Sequence, residues 1–236
     1  MGKKKLVVLT GAGISAESGF ETFRDAGGLW EKYSVEDVCT PEGLRRDPDF
    51  VNGFYNGLRR QLLSAVPNAG HSTLAAMERD FDIDVITQNV DDLHERAGSS
   101  RVLHLHGELM KVCSSRDKDD PRYIRTLPAS APEVHPGELC ADGSPLRPWI
   151  VFFGESVPLL EAAAERVRQA DAFAVIGSSL NVYPAAGLVR YVSEGAPAFL
   201  IDPKEVDVPA FLPVRVIRDV ASTGVPRLWE ALKDAF

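Results

Sequence analysis

The chain has 236 residues, of which 44% are hydrophobic and 25% charged, an ordinary globular composition with enough length to bury a sizeable core in one large domain with a small appended module. A net charge of -8 and a pI near 5.2 count against a nucleic-acid-binding coat, which needs a basic face for phosphate. Three cysteines, Cys39, Cys113 and Cys140, are too few for a secreted disulfide framework, and no stretch reaches the roughly 20 apolar residues of a membrane span.

The N-terminal Met1-Gly2-Lys3-Lys4-Lys5 starts as a signal peptide would, but the apolar stretch after it is too short and runs into a glycine turn, so a soluble cytoplasmic protein is expected. Short apolar or β-branched runs then recur at Leu6–Thr10, Ile83–Thr87, Val102–Leu105, Trp149–Phe153, Ala172–Ile176, Ala198–Ile201 and Val214–Ile217. Each reads as a strand of a parallel sheet covered on both faces. Helix-like segments lie between several of them, at Gly70–Arg79, Leu159–Gln169 and Ala185–Ser193. The alternation predicts an α/β fold, a Rossmann-like doubly wound parallel sheet with ligand sites at its strand ends. Residues 20–66 and 107–148 interrupt the rhythm and are expected to build the small module, leaving about 1–19, 67–106 and 149–236 as the large part.

Thr10-Gly11-Ala12-Gly13-Ile14-Ser15-Ala16 follows the first strand, where glycines let backbone N–H groups approach a pyrophosphate. A dehydrogenase would add a second strand with an acidic end about 20 residues on, and none is legible. The polar run Gln88-Asn89-Val90-Asp91 follows a strand end, where amides and carboxylates can grip ribose hydroxyls and a carboxamide. His106 lies just beyond another strand and ahead of Gly107, and an imidazole with a pKa of roughly 6.5 can move protons at neutral pH. His104 shares its neighbourhood and reads as structural.

The stretch from Gly11 to Gly19 and on through Thr22-Phe23-Arg24-Asp25, together with Thr87–His94, His104–Glu108, Phe153-Gly154-Glu155 and Gly177–Leu180, resembles the sirtuin family in order and approximate spacing. The resemblance runs from about Leu6 to the C-terminus and is weakest between Lys111 and Leu146. It implies NAD-dependent removal of acyl groups from protein lysines, with nicotinamide and O-acyl-ADP-ribose as products. His106 would be the general base, and Asn89 would serve the ribose and a water. NAD would be held by Gly11, Ala12, Gly13, Ile14, Ala16, Gln88, Asn89, Val90, Gly177, Ser178 and Ser179. Asp91 would take the nicotinamide amide, and Phe23 and Arg24 would belong to a lid in which Glu21 stands where the family usually has proline. Asp202 and Ala221 are candidates for the adenosine end, against ordinary loop roles. Val151, Phe153, Gly154 and Asn181 would pair with the backbone of an extended acyl-lysine peptide.

The sequence departs from the family twice. A sirtuin zinc module carries two Cys-x-x-Cys pairs. Cys113 and Cys140 stand at the first positions, but Arg116 and Gly143 occupy the partner positions, and nothing places His135 as a third ligand, so zinc is not expected. In the branch that removes acidic acyl groups, a tyrosine and an arginine three residues later grip the carboxylate. Ala26 and Tyr55 match that branch, whereas position 58 is Leu58, so Tyr55 and Leu58 are expected to line an acyl wall that lacks the arginine and favours neutral acyl chains. Arg59 lies about 100° further round an ideal helix. Protein mono-ADP-ribosyl transfer and a non-catalytic NAD-sensing module stand as alternative functions.

Overall fold

A computed structural model describes residues 2–20 and 32–236. In chain order the strands are β1 (Lys5–Thr10), β2 (Asp82–Thr87), β3 (Val102–His104), β4 (Gly107–Ser114), β5 (Arg125–Thr126), β6 (Leu146–Ile150), β7 (Ala172–Ile176), β8 (Ala198–Ile201) and β9 (Val214–Ile217). Six of them form one sheet in the order β3-β2-β1-β7-β8-β9, with every neighbouring pair parallel. The α-helices are α1 (Val35–Val38), α2 (Pro41–Arg46), α3 (Pro48–Ser64), α4 (Ala69–Met77), α5 (Leu93–Arg96), α6 (Leu160–Arg168) and α7 (Ala221–Lys233).

The central strands are apolar at successive positions because helices cover both faces of the sheet. On one face Leu6, Val8, Ile83 and Val85 pack with Leu74 and Met77 of α4 and with Val225 and Leu228 of α7. On the other, Val7, Leu9, Phe173 and Val175 meet Ala163 and Val167 of α6 and Leu188. The strand order reverses at β1, with β2 and β3 to one side and β7 to β9 on the other. A parallel sheet leaves a crevice outside its carboxyl ends at such a reversal.

Residues 35–64 form α1 to α3. Asp47 caps α3 by accepting from the Phe50 N–H at 2.9 Å, with Pro48 in the first turn. Val51, Phe54, Tyr55, Leu58 and Leu62 then recur at helical spacing and are buried with Ile150 and Phe152. Among the described residues, no helix is long and apolar enough to cross a membrane.

Two expected elements change. The run expected at Trp149–Phe153 is β6, Leu146–Ile150, and it does not join the parallel sheet. It pairs antiparallel with β4 in a three-stranded sheet of order β5-β4-β6, across the boundary expected near residue 148. A buried apolar run has the same composition in either kind of sheet. Here Gly107, at φ +85°, turns the chain straight into β4, which supplies the antiparallel edge. A side chain at that glycine would collide with the Trp149 carbonyl. The segment expected as an α-helix at Ala185–Ser193 is a 3-10 helix, Ala185–Tyr191. It includes Gly187, a poor α-helix former.

Candidate active site

The loops at the carboxyl ends of β1, β2, β7 and β8, with His106 and the segment after β6, enclose a cavity of about 390 Å3, within the range of ligand clefts of about 300–1,000 Å3. From the β1 loop, Gly11, Ala12, Gly13 and Ala16 line it. The β2 loop contributes Gln88, Asn89 and Val90, and the β7 loop Gly177, Ser178 and Ser179. Val151, Phe153 and Gly154 form another wall, and Asp202 lies at the β8 end. Ile14, Asp91 and Ala221 are buried behind this lining. Asn181 is exposed and Leu58 is packed among apolar neighbours, so neither reaches the cavity wall. Phe23, Arg24 and Ala26 lie outside the described residues.

The two glycine turns interlock. Gly11 donates to the Ile176 carbonyl at 3.0 Å and Gly13 to the Gly177 carbonyl at 2.9 Å. A Cβ on Gly11 would lie 2.7 Å from the Gly177 oxygen, and one on Gly13 would lie 2.7 Å from the Gly177 Cα. Gly177 itself has φ +60°, a left-handed conformation that favours glycine. Backbone is thereby brought against backbone, and at these three positions the cavity floor carries no side chain.

Below the floor runs a buried polar chain. Thr10 Oγ1 donates to Thr87 Oγ1 at 2.8 Å, which accepts from the Asn89 N–H at 3.0 Å. The Asn89 amide donates to the Gly11 carbonyl at 3.1 Å and to Ser15 Oγ at 3.2 Å. Ser15 in turn donates to Asp91 at 2.9 Å. Burial raises the Asp91 carboxyl to about 6, against the hydrogen bonds from Leu93 N–H and Ser15. Gln88 Nε2 reaches across to Ser178 Oγ at 2.8 Å, which ties the β2 loop to the β7 loop.

His106 Nδ1 lies 2.9 Å from the Gln88 carbonyl. A carbonyl only accepts, so Nδ1 carries the proton and Nε2 is left with its lone pair. Burial holds this imidazole below its ordinary range, against the Gln88 bond; at neutral pH it is an uncharged base on the cavity wall. His104 is engaged elsewhere, with Nε2 2.8 Å from Glu95 and Nδ1 3.2 Å from the Asn89 carbonyl. Burial opposes its charge, but the Glu95 carboxylate prevails and raises its pKa. It braces the β2 loop.

The profile of the Sir2 family matches residues 11–184. The chain belongs to the Sir2 family. It is 59% identical over 229 residues, 97% of this chain and 98% of the relative, to an NAD-dependent protein deacylase of Bacteroides thetaiotaomicron. It is 41% identical over 236 residues to an NAD-dependent protein deacylase of Aquifex aeolicus, covering 98% of this chain and 96% of that one. Among solved structures, a Sir2 homologue in complex with ADP-ribose matches with a TM-score of 0.88 at 38% identity, over 99% of this chain and 93% of its own. A Sir2 protein with a p53 peptide and NAD+ matches with a TM-score of 0.77 at 31% identity, over 98% of this chain and 95% of its own. The parallel sheet and its crevice are thus the fold of a sirtuin.

At the other end of this sirtuin's cavity, Cys39, Tyr55, Val90, Ile150 and Phe152 belong to both the lining and one apolar cluster. The Tyr55 hydroxyl donates to Cys39 Sγ at 3.5 Å, and its ring stacks with Phe152 at 6.0 Å. Arg59 does not face this end. Its Nε donates to the Leu109 carbonyl at 2.8 Å and Nη1 to Asn56 at 2.9 Å, and burial lowers its pKa to about 10. Arg60 pairs with Glu133 at the surface.

Sequence reasoning missed Cys39, Glu17 and the Arg147–Glu155 pair. Glu17 lines the cavity and accepts from the Ser222 N–H and hydroxyl at the start of α7. Arg147, almost fully buried, binds Glu155 at 2.7 and 3.0 Å and the Ile150 carbonyl at 2.9 Å, while Glu155 accepts from the Phe152 N–H at 2.8 Å. This clasp shapes the segment that carries Val151, Phe153 and Gly154. Its only sequence trace is a Glu after Phe153-Gly154, and nothing local names its partner.

The small module does not bring its cysteines together. Val112 and Cys140 pack into one apolar cluster, whereas Cys113, next along β4, faces the other side, as successive strand residues must. Its thiol points to the Pro148 carbonyl at 3.9 Å. Among the described residues, no group of three or more His, Cys, Asp or Glu could hold a metal. Ser114 instead donates to Asp142 at 2.6 Å, lies 3.0 Å from Ser144 Oγ and accepts from the Arg116 N–H at 3.0 Å.

Proposed function

We infer that this sirtuin is an NAD-dependent protein lysine deacylase that releases nicotinamide and O-acyl-ADP-ribose. The observation that carries the reading is His106, neutral, protonated on Nδ1 and set on the wall of a glycine-floored cavity. NAD, when bound, supplies the ribose carbon that parts from nicotinamide and takes up the acyl group. The residues fit it: Gly11, Gly13 and Gly177 put no side chain on the floor and so leave room for the pyrophosphate beside the loop backbone, and Asp202 stands toward the adenosine end. Asn89, locked by its bonds to Gly11 and Ser15, serves the ribose side. Asp91 acts from behind through Ser15. His106 Nε2 accepts the proton of a sugar hydroxyl and so makes that oxygen nucleophilic.

The peptide backbone lies along Val151, Phe153 and Gly154 and is met from the opposite side by the Gly177–Asn181 loop. Main-chain pairing of this kind tolerates many flanking sequences. The acyl chain enters the apolar end at Tyr55, Ile150 and Phe152. Zinc does not fit this module: the two thiols face opposite sides of β4, and the Ser114–Asp142–Ser144 cluster joins the strands without a metal.

The deciding experiment incubates acyl-lysine peptides with and without NAD and measures deacylated peptide and nicotinamide. Both are expected, in equal amounts and only with NAD. Label from NAD retained on a protein acceptor, with no deacylated peptide, would favour ADP-ribosyl transfer instead.

A further inference from the structure

Among the described residues, the apolar end of the cavity carries one weakly held hydroxyl. Of Cys39, Tyr55, Val90, Ile150 and Phe152, only Tyr55 bears a hydroxyl, and that hydroxyl spends its hydrogen on the Cys39 sulfur at 3.5 Å. A neutral thiol is a weak acceptor, so the bond is cheaply exchanged for one to oxygen. The Cys39 carbonyl is already taken by the Phe153 N–H at 2.9 Å, so Cys39 stays in place if the Tyr55 bond is given up. Among the described residues, the cations near this end are turned to other partners. Arg147 is held by Glu155 and the Ile150 carbonyl, and Arg60 pairs with Glu133. Arg59, which does not line the cavity, donates to Leu109 and Asn56 and keeps one buried nitrogen, Nη2, without a partner.

We propose that Tyr55 and Cys39 form a selective end wall for neutral acyl groups that carry a hydroxyl, such as 3-hydroxyacyl-lysine. A carboxylate here would lose its water without gaining a cation, which is costly. A purely aliphatic chain leaves the Tyr55 proton on sulfur. A hydroxyacyl oxygen accepts it, satisfies both buried groups and keeps the chain's apolar contacts with Ile150 and Phe152. The inference rests on the reading that the acyl chain enters this end of the cavity.

The test compares kcat/KM for butyryl and 3-hydroxybutyryl forms of one peptide in the wild type, Tyr55→Phe and Cys39→Ala. The hydroxybutyryl-to-butyryl ratio is expected to fall about three- to tenfold in Tyr55→Phe, the worth of one neutral hydrogen bond. In Cys39→Ala it is expected to rise, because the hydroxyl then has no partner until the substrate arrives. A fall of less than threefold in Tyr55→Phe, or no rise in Cys39→Ala, overturns the proposal. Tyr55→Trp separates the two layers of the argument. If it impairs butyryl more than acetyl substrate, Tyr55 stands at the acyl end and the ratios decide the selectivity. If it changes neither, the acyl chain goes elsewhere and the end-wall proposal falls with that reading.

Discussion

His106 donates its Nδ1–H to the Gln88 carbonyl at 2.9 Å, and this one bond settles which nitrogen can act as a base. Replacing His106 with Ala should lower deacylation by about 10² to 10⁴, the usual worth of a general base, with little change in melting temperature. Activity within threefold of wild type would remove His106 from the reaction. Because burial lowers its pKa, the base form persists as pH falls. The acid limb of kcat/KM should therefore lie below the roughly 6.5 of a free imidazole, and a limb above that value would contradict the geometry.

Gly13→Ala tests the interlocked turns. Its Cβ would lie 2.7 Å from the Gly177 Cα, backbone that cannot swing aside, so the two loops must part. Overpacking of this kind costs about 1–3 kcal/mol. Calorimetry should find NAD affinity reduced at least tenfold together with a lower melting temperature; unchanged affinity would show that the floor does not hold the dinucleotide.

Beneath the same loops, His71 and His94 are fully buried, with ring centroids 4.9 Å apart. Burial lowers His71 to about 4 and pushes His94 well down. The unfolded chain therefore takes up protons that the folded chain refuses between pH 6.5 and 4, and stability falls with acidification across that window, by at most about 1.4 kcal/mol per pH unit for each histidine. Asp91, raised to about 6, acts in the opposite sense between pH 6 and 3.8 and offsets one of the two. A net loss of stability on acidification remains. His71→Met should shrink the drop in melting temperature between pH 7.5 and pH 5, and an unchanged drop would exclude His71 as its source.

Tag-free protein should contain far less than one zinc per chain, and a strong chelator should leave its melting temperature where it was. Ser114→Ala, by contrast, removes the bond to Asp142 and leaves the Arg116 N–H without its acceptor and should cost about 1–3 kcal/mol. Stoichiometric zinc lost together with the fold would refute the metal-free module.

Acetyl and longer apolar acyl-lysine peptides should be turned over better than succinyl peptides, since a desolvated carboxylate without a cation loses several kcal/mol. Arg59→Met should lower stability by removing the bond to the Leu109 carbonyl, yet leave the acetyl-to-succinyl ratio unchanged. A wild-type preference for succinyl, lost in Arg59→Met, would show that this guanidinium reaches the acyl end after all.

Much was legible in one dimension because the relevant physics is local. Six of the apolar runs are strands of the parallel sheet; the inner ones are apolar throughout because both faces are covered, whereas β9, at the edge, exposes Arg215 and Val216. The glycine turn, the Gln88–Asp91 run and His106 follow strand ends because that is where such a sheet binds ligands. Leu58, three residues after Tyr55, was expected to line the acyl wall, and Trp149–Phe153 was expected in the main sheet. Neither holds, because helical spacing gives a face without saying what packs on it, and apolar composition does not separate parallel from antiparallel pairing.

The sequence by itself determined the α/β class, the Sir2 motifs and the residues from which a base and a glycine floor are made. Only the tertiary structure decided the tautomer of His106, the interlock of Gly11 and Gly13 with Gly177, the Arg147–Glu155 clasp, the opposed thiols of Cys113 and Cys140 and the pairing of Tyr55 with Cys39. Each of these depends on a distance or a direction between groups on different elements, often far apart in the chain, and such distances exist only once the sheet and its helices have packed.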